Sequence, residues 1–343
     1  MILFLASCEF FSSADKKHLS EPVLQPDFIT DKTLEDTDDP AIWLNYENPE
    51  LSLILGTDKG DFNGGIYVFD LKGKLLKEKS VLNLPRPNNI DVEYGFKLGG
   101  DTVDIAVFTQ RNGDNIRVLK LPEMSFLDNG GIPVFVGDSV RSPMGVALYK
   151  SGEKIYAVIS RKSGPDGKYL WQYLMKDSLG IVVAEPVRKF GAFKGGKEIE
   201  AIAVDDEAGF VYYSDEGMGI RKYHADPDSG DVELAFFAEK DFKEDHEGIS
   251  IYPTGVETGY IIVSDQQANR FHVFDRRFPH QRLAIIPTAT NQSDGSEVSN
   301  KAFGSLYPKG FFVAMSDNRT FQIYKWEKFE EVLLNQKKSS VQK

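Results

Sequence analysis

The chain has 343 residues, of which 41% are hydrophobic, a net charge of −12 and a single cysteine. This length allows a large buried core, and the charge argues against nucleic acid as a partner, because proteins bind it mainly by placing Lys and Arg on phosphates. One cysteine excludes an intrachain disulfide and a cysteine metal cluster.

The sequence begins with a short apolar run, MILFLASC, that ends at Cys8. Leu-Ala-Ser-Cys at the end of such a run resembles a bacterial lipobox, in which the cysteine is lipidated and becomes the mature N-terminus. We expect residues 1–8 to be a lipoprotein signal, with an ordinary signal as the alternative. The protein is then expected in the cell envelope, as a periplasmic or surface lipoprotein, or secreted.

Residues 9–30 are polar and predict a tether. No later stretch reaches the roughly 18 apolar residues that a membrane span needs, so the lipid is the only membrane contact that we expect.

Short alternating runs, rich in β-branched and aromatic residues, occupy residues 31–330. Turn sequences such as NGG, KSGE and DEAG separate them, and the pattern predicts an all-β domain. A helix is predicted in the segment WEKFEEVLLNQKK, and residues 331–343 are assigned to a C-terminal helical tail.

A longer repeat is superimposed on the strands. Units of roughly 50 residues each contain polar residues, a short apolar strand and then two further strands. Five units are complete and a sixth is partial. Their first strands read DDPAIWLN, NNIDVEYGF, SPMGVALYK, EIEAIAVDD and HEGISIYP. This spacing matches one four-stranded blade, so the sequence predicts a six-bladed β-propeller. A two-sheet sandwich is the alternative, but it does not require six similar units.

Propeller geometry predicts a shared site, because the first strand of each blade lines the central channel and equivalent positions converge at one end of it. The polar residues at these positions are Asp38, Asp39, Asn89, Asp91, Glu200, Asp245 and Glu247. Crowded carboxylates repel one another unless a cation lies among them. An oxygen-only set suits Ca²⁺ or Mg²⁺, and several carboxylates favour Ca²⁺. For each residue taken singly, the alternative is a cap on its own turn.

Basic residues occupy a second matched position. Lys59, Arg111 and Lys162 each follow the second strand of one of the first three units. In so acidic a chain, these three cations predict that one half of the shared site binds anions and faces the half formed by the acidic residues. The segment GAFKGGKE has the spacing of a phosphate-binding loop, but it ends in Glu198 and no helix pattern follows, so it is assigned to an ordinary loop.

Together these motifs resemble the β-propeller phytases. The resemblance covers roughly residues 30–330 and is carried by DTDDPAIW, NNIDVEYGFKLGGDTVDIAV, EIEAIAVDDEAGFVYYSDE, HEGISIY and YPKGFFVA, in that order. It implies a six-bladed propeller that uses Ca²⁺ to hold myo-inositol hexakisphosphate (phytate) and hydrolyses it with metal-activated water. The implied enzyme is a phosphoric monoester hydrolase, similar to 3-phytases, that acts as a monomer on phytate or a related polyphosphorylated small molecule.

The resemblance also implies roles for individual residues. The calcium ligands that it implies are Asp38, Asp39, Asn89, Glu200, Glu216, Glu247 and Asp294. The catalytic residues that it implies are Lys59, Arg111 and Lys162, which bind phosphate, together with Glu200.

Three positions depart from the family pattern. Met144 stands where the family carries a phosphate-contacting Tyr, Gly60 where it often has a second Lys, and Asn300 where a second active-site Asp is expected. Two other functions therefore stay open: a calcium-dependent propeller lactonase or esterase, and a non-catalytic binding propeller at the cell surface.

Overall fold

The computed structural model describes residues 22–341, which form six small antiparallel sheets in a ring around a central channel. The predicted six-bladed β-propeller is confirmed. The predicted lipoprotein signal and the tether up to residue 21 lie outside the described residues. Within residues 22–341, no helix has the length and apolar character required to cross a membrane.

The first five blades are each built from strands that follow one another along the chain, after a short first strand β1 (Phe28–Ile29). Blade 1 contains β2 (Thr37–Trp43), β3 (Leu53–Asp58), β4 (Gly64–Phe69) and β5 (Val81–Leu84). Blade 2 contains β6 (Pro87–Leu98), β7 (Asp101–Gln110), β8 (Asn115–Leu121), β9 (Ser125–Phe126) and β10 (Ile132–Pro133). Blade 3 contains β11 (Pro143–Ser151), β12 (Lys154–Arg161), β13 (Leu170–Ser178) and β14 (Ile181–Phe190).

The second half of the ring follows the same plan. Blade 4 contains β15 (Ile202–Asp205), β16 (Phe210–Asp215), β17 (Gly219–His224) and β18 (Glu233–Phe237). Blade 5 contains β19 (Ile249–Pro253), β20 (Gly259–Asp265), β21 (Arg270–Asp275) and β22 (Arg282–Pro287). Blade 6 contains β23 (Ser296–Ser299), β24 (Phe311–Ser316) and β25 (Thr320–Lys325). In the described part of the chain, 3₁₀ turns lie at Pro49–Leu51, Arg111–Gly113, Pro227–Ser229 and Gln266–Ala268.

The ring is closed by the N-terminal strand, because β1 is the outermost strand of blade 6 and pairs with β25. Phe28 lies opposite Ile323, and the N–H of Phe321 donates to Thr30 Oγ1 at 2.8 Å. Leu24 forms a further bridge to Thr288, just after blade 5. Residues 24–30 therefore contact the propeller, although the sequence predicted a tether as far as residue 30.

The C-terminal helix α1 (Trp326–Val341) begins before the predicted boundary at residue 331. Trp326 stacks on Tyr252 of blade 5 with ring centroids 3.5 Å apart, and Phe329 and Leu333 are buried beside it. The first turns of the helix thus belong to the core.

Apolar side chains fill the spaces between neighbouring blades. Strand β3, for example, is buried along its whole length because it lies between blades 6 and 2. Sheets covered on both faces require nearly continuous apolar strands, which explains why the second strand of each repeat is its most hydrophobic segment.

The inner strands β2, β6, β11, β15, β19 and β23 line the channel and run in one direction. At their starts Asn88 of blade 2 donates to Asp38 of blade 1. Near their ends the Lys150 N–H of blade 3 donates to Asp206, which directly follows the inner strand β15 of blade 4. We call the end of the channel where the inner strands begin the site face, and the opposite end the far face.

Candidate active site

A bulge opens the inner strand in each of the first three blades. The strand register shifts between Thr37 and Pro40, between Pro87 and Ile90, and between Pro143 and Val146. Such bulges redirect side chains, and the residues within them are equivalent from blade to blade. Asp38, Asn88 and Met144 share the first position of the bulge, and Asp39, Asn89 and Gly145 share the second.

Asp38 is the buried centre of the contacts between blades 1, 2 and 4. Its Oδ1 accepts from Lys59 Nζ at 2.8 Å and its Oδ2 accepts from Asn88 Nδ2 at 2.9 Å. The same Asn88 nitrogen lies 3.3 Å from Oε1 of Glu200. The close approach of the blades also explains Gly145, where a Cβ would lie 1.8 Å from the Glu200 carbonyl oxygen.

Lys59 lies between two carboxylates. Its Nζ is 2.8 Å from Asp38 Oδ1 and 2.7 Å from Asp294 Oδ2. Burial alone would lower the pKa of Lys59, but the charges of Asp38, Asp294 and Glu200 outweigh burial and raise that pKa above its ordinary value. Lys59 is therefore a permanent cation inside an acidic cluster.

Three glutamates form the most crowded part of this cluster. Carboxylate oxygens of Glu198, Glu200 and Glu216 all lie within 4.8 Å of one another. Burial, reinforced by Glu198 and Glu200, raises the pKa of Glu216 to about 9. Burial and the charge of Asp38 raise the pKa of Glu200 to about 8. Carboxylates this close need either protons or a cation among them.

Further polar groups border the glutamates. Lys162 Nζ lies 2.6 Å from Glu198 Oε1. Gln266 donates to Asp294 and to Glu247 Oε2, the latter at 3.1 Å. Burial, followed by the charges of Asp294 and Glu200, raises the pKa of Glu247 well above its ordinary range.

The residues of this cluster fit a calcium ion. Glu216 Oε1 and Asn88 Oδ1 are both buried without a hydrogen-bond partner, so two oxygen donors are free for a cation. Carboxylate and amide oxygens are the ligands that Ca²⁺ prefers, while zinc sites in proteins are built mainly from nitrogen and sulfur.

Most of the sequence-predicted site residues converge at the site face. The cluster contains Asp38, Lys59, Glu200, Glu216, Glu247 and Asp294, and Lys162 joins it through Glu198.

Asp39 and Asn89 do not join this cluster, in contrast to the sequence prediction. Both line the channel below it, where Asp39 Oδ2 accepts from the Ile90 N–H at 3.1 Å. Burial raises the pKa of Asp39 well above its ordinary value, and the charges of Asp38 and of Glu297 and Asp91 in the channel wall raise it further. The bulge turns the second residue of each pair towards the channel, so two polar residues that are adjacent in the sequence lie in different environments.

Arg111 lies at the site face but contacts no carboxylate of the cluster. Its guanidinium touches the thioether sulfur of Met144, whose side chain is fully buried. Met144 thus fills the position that Asp38 and Asn88 occupy in blades 1 and 2. At Gly60, a Cβ would lie 2.4 Å from Glu35 Oε2 and 3.1 Å from the Gly64 backbone nitrogen, so the lysine that the family pattern suggested would require the exposed Glu35 side chain to move.

Asn300 lies at the far face, and its expected place in the active site is wrong. It follows the short strand β23, which begins next to Asp294 and carries the chain to the other end of the channel. There Asn300 Nδ2 donates to Pro253 O at 2.9 Å and lines a cavity of about 260 Å³.

Sequence reasoning missed Asn88, Glu198 and Gln266. Glu198 precedes Glu200 by two positions, and in extended chain such residues point to the same side, but the glycine-rich segment before it was assigned to an ordinary loop. Asn88 was hidden by its neighbour Asn89, because the bulge that separates the two side chains has no signature in the sequence.

Comparisons with known proteins agree with this architecture. The family model described as Phytase matches residues 4–342. A 3-phytase of Bacillus subtilis (strain 168) is 29% identical over 320 residues, which cover 86% of this chain and 81% of that protein.

Two solved structures show the same fold at low identity. A luciferin-regenerating enzyme is 12% identical, with 85% of this chain and 92% of that chain covered and a TM-score of 0.53. Hydrazine synthase of Kuenenia stuttgartiensis is 13% identical, with 83% and 82% covered and a TM-score of 0.51.

Proposed function

The chain belongs to the phytase family, hydrolases that act on phosphate esters, and from this membership we propose that it is a calcium-dependent phosphomonoesterase. The proposed substrate is phytate or a related polyphosphorylated small molecule. One observation carries the calcium dependence: Glu198, Glu200 and Glu216 bring carboxylate oxygens within 4.8 Å of one another, with Lys59 and Lys162 beside them.

Glu198, Glu200 and Glu216, with Asp38, Asn88, Glu247 and Asp294 around them, are the residues that we propose hold calcium. When bound, Ca²⁺ supplies positive charge that offsets these carboxylates and assists the attack of water on phosphorus. Asn88 orients the site, because its amide donates to both Asp38 and Glu200 and leaves its own oxygen free.

The basic residues complement the negative charge of the phosphoryl group. Lys59 keeps its proton because of Asp38 and Asp294, and Lys162 is half-exposed beside Glu198. Cations that are already fixed near the reacting phosphoryl oxygens stabilise charge in the transition state without reorganisation. Arg111, whose guanidinium contacts the neutral sulfur of Met144 and forms no ion pair among residues 22–341, is available to a substrate oxygen.

The test is phosphate release from phytate in saturating calcium and in excess chelator, for the wild type, Glu200→Ala and the control Glu185→Ala. Glu185 is an exposed glutamate of β14 that pairs with Lys176. We expect a loss of at least about 100-fold for Glu200→Ala, loss in chelator, and wild-type rates for the control. Absence of release by the wild type at every calcium level would overturn the proposal.

The buried Met144 favours one alternative, a propeller that binds a phosphorylated ligand without turnover. A thioether cannot donate a hydrogen bond, and it stands at the position equivalent to Asp38 and Asn88. This alternative requires calcium-dependent ligand binding in calorimetry with no phosphate released over the same period.

We also propose, from the sequence of residues 1–8 alone, that Cys8 is lipidated and that the protein is attached to the cell envelope. Labelled palmitate should enter the wild-type protein in a bacterial host but not Cys8→Ser. We propose in addition that the propeller is monomeric, which light scattering of the purified protein will test.

A further inference from the structure

The far face holds a cavity that lies outside the proposed active site. Its volume is about 260 Å³, whereas one water molecule takes up only about 30 Å³. Asp91, Asp206 and Glu297 line both this cavity and the central channel, so the two spaces are continuous. We call the cavity, together with the channel that it joins, the far-face cavity.

The carboxylates of the far-face cavity have no basic partner within the described chain. Both oxygens of Asp91 accept backbone N–H groups, from Val92 and Leu148 at 2.7 Å, and Glu297 accepts the N–H of the next residue at 2.6 Å. Among residues 22–341, no Lys or Arg forms an ion pair with Asp91, Asp206 or Glu297. Carboxylate oxygens keep further lone pairs after one hydrogen bond, so these groups can bind a cation that enters from solvent.

Asn89 supplies an unused acceptor in the same space. The residue is 7% exposed, and its side-chain oxygen is buried without a hydrogen-bond partner. It lines the channel together with Asp91 and Glu297. Buried polar atoms are nearly always paired in folded proteins, so the free oxygen indicates a place where a donor group of a ligand binds. This observation is independent of the carboxylates.

The acceptors recur at regular intervals along strand β6. Asn89, Asp91 and Glu93 all line the channel, as expected when every second residue of a strand faces the same side. Residues two positions apart in a strand are about 7 Å apart. Four methylene groups separate two amine nitrogens by about 6 Å, so a linear polyamine matches the interval between these acceptors.

Aromatic and apolar side chains complete the far-face cavity. Tyr46, which is 65% exposed, and Tyr94 meet edge to face in its lining, with ring centroids 5.3 Å apart. Aromatic rings attract ammonium groups, because the face of the ring carries partial negative charge. Methylene groups can pack against the apolar residues of the same lining, which include Ile42, Leu44 and Ile251.

We propose that the far-face cavity binds a linear alkyl polyamine. Its inner ammonium groups bind Asn89, Asp91 and Glu297 along the channel. Its methylene chain packs on the apolar lining, and its outer ammonium group lies against Tyr46 and Tyr94. This binding site goes beyond the proposed function and does not depend on it, because the cavity opens at the opposite end of the channel from the carboxylate cluster.

A metal ion suits the far-face cavity less well than an amine. Within the described residues, the acidic side chains that gather three ligand atoms within 4.8 Å of one another are Glu198, Glu200 and Glu216. The far-face carboxylates do not gather in this way, whereas Ca²⁺ takes about six to eight oxygens in one shell. Acceptors in a row suit separate ammonium groups on one chain, each with its own N–H donors.

The first experiment is calorimetry with spermidine, a linear triamine, at constant ionic strength in saturating calcium, so that calcium competes for the cluster at the site face. We expect the wild type to bind spermidine and Glu297→Gln to bind it at least about tenfold more weakly. The matched control Glu185→Gln changes the net charge equally at an exposed site and should leave binding unchanged. Absence of wild-type binding, or equal affinities of the wild type and Glu297→Gln, would overturn the proposal.

The outer end of the ligand is tested by two further variants. Tyr46→Ala should weaken spermidine binding about threefold, whereas Phe278→Ala, at an exposed aromatic residue outside the lining, should not. Lys301 is an exposed basic residue of the lining, so Lys301→Gln should strengthen binding about twofold. Unchanged affinities for both Tyr46→Ala and Lys301→Gln would place the ligand elsewhere and contradict the proposal.

The length of the ligand gives a separate test. n-Butylamine, with one ammonium group, should bind at least about tenfold more weakly than spermidine, because it cannot reach successive acceptors at once. Equal affinities would contradict a site that extends along the channel. Displacement of spermidine by additional calcium at constant ionic strength would assign the far-face cavity to a metal ion and overturn the proposal.

Thermal unfolding without ligand separates loss of binding from loss of fold in each variant. Spermidine should raise the melting temperature of the wild type but not that of Glu297→Gln, because a ligand stabilises the state that binds it. The two proposals fail separately. Spermidine binding by a protein that releases no phosphate would still support the polyamine site, and phosphate release without spermidine binding would leave only the proposed function standing.

Discussion

Among single residues, Lys59 shows how much of the site depends on charge balance. Its ammonium is enclosed by Asp38 and Asp294, both largely buried, and Glu200 lies close enough to raise its pKa. A cation in this position serves the fold and the proposed chemistry together, since it offsets buried carboxylates before any substrate arrives.

Replacing Lys59 with Met should leave those carboxylates without their partner. We expect the free energy of unfolding in chelator to fall by about 3–5 kcal/mol, and by less in saturating calcium, because a bound cation replaces the lost charge. Urea unfolding measures both values. Lys74→Met, which removes an exposed pair with Asp31, should have little effect on stability, because water screens that pair. Equal losses for the two variants would contradict this account.

At the level of secondary structure, the bulged starts of the inner strands decide which polar residue enters the site. Asp38 and Asn88 turn towards the carboxylate cluster, and Asp39 and Asn89 turn towards the channel. The proposed site therefore uses one residue of each neighbouring pair.

This alternation can be tested with Asp38→Asn and Asp39→Asn. We expect the first to raise the calcium concentration for half-maximal phosphate release about tenfold, because it removes a carboxylate from the cluster. The second should stay within about twofold of the wild type, since its charge lies in the channel. A larger increase in the required calcium concentration for Asp39→Asn than for Asp38→Asn would contradict this assignment of the two side chains.

The sequence was sufficient for the propeller because each blade repeats the same pattern of strands. It was also sufficient to bring Asp38, Glu200 and Glu247 together, since equivalent blade positions converge. It could not show the direction of side chains within a bulge, so Asn89 was chosen instead of Asn88. Asn300 was assigned to the wrong end of the channel. Strand β23 has only four residues, so the chain reaches the far face shortly after Asp294.

Considered as a whole, the molecule encloses a channel lined by further carboxylates. Burial raises the pKa of Asp91 to about 8 and the pKa values of Glu93, Asp206 and Glu297 to about 7. Two of these groups accept a backbone N–H from a neighbouring blade: Asp91 accepts from Leu148 at 2.7 Å and Asp206 accepts from Lys150 at 2.8 Å.

The folded state therefore holds more protons than the unfolded chain between the ordinary pKa of a carboxyl and these raised values. The stability that these four groups contribute should be fully present below the ordinary carboxyl pKa of about 4 and should be lost as the pH rises towards about 8. Thermal unfolding in chelator measures the slope, which Glu297→Gln should reduce and the exposed Glu185→Gln should not. A melting temperature that stays constant or rises over this range would contradict the assignment.

Closure of the ring depends on a few contacts of residues 24–30. Thr30→Val removes the acceptor for the buried Phe321 N–H, and we expect it to cost about 1–3 kcal/mol. Thr254→Val, which removes an exposed hydroxyl contact to Thr258, is the matched control and should have little effect. Thermal unfolding compares them, and equal melting temperatures would show that the Thr30 contact does not contribute to closure.

The pairing of β1 with β25 also has a consequence for biosynthesis. The two strands are far apart in the sequence, at Phe28–Ile29 and Thr320–Lys325, so the sixth blade cannot be completed until β25 has left the ribosome. Contacts this distant in sequence form slowly. Until they form, β25 presents an open edge that can pair with other chains. The interval between the synthesis of β25 and its pairing with β1 is therefore a stage at which nascent molecules are prone to aggregate.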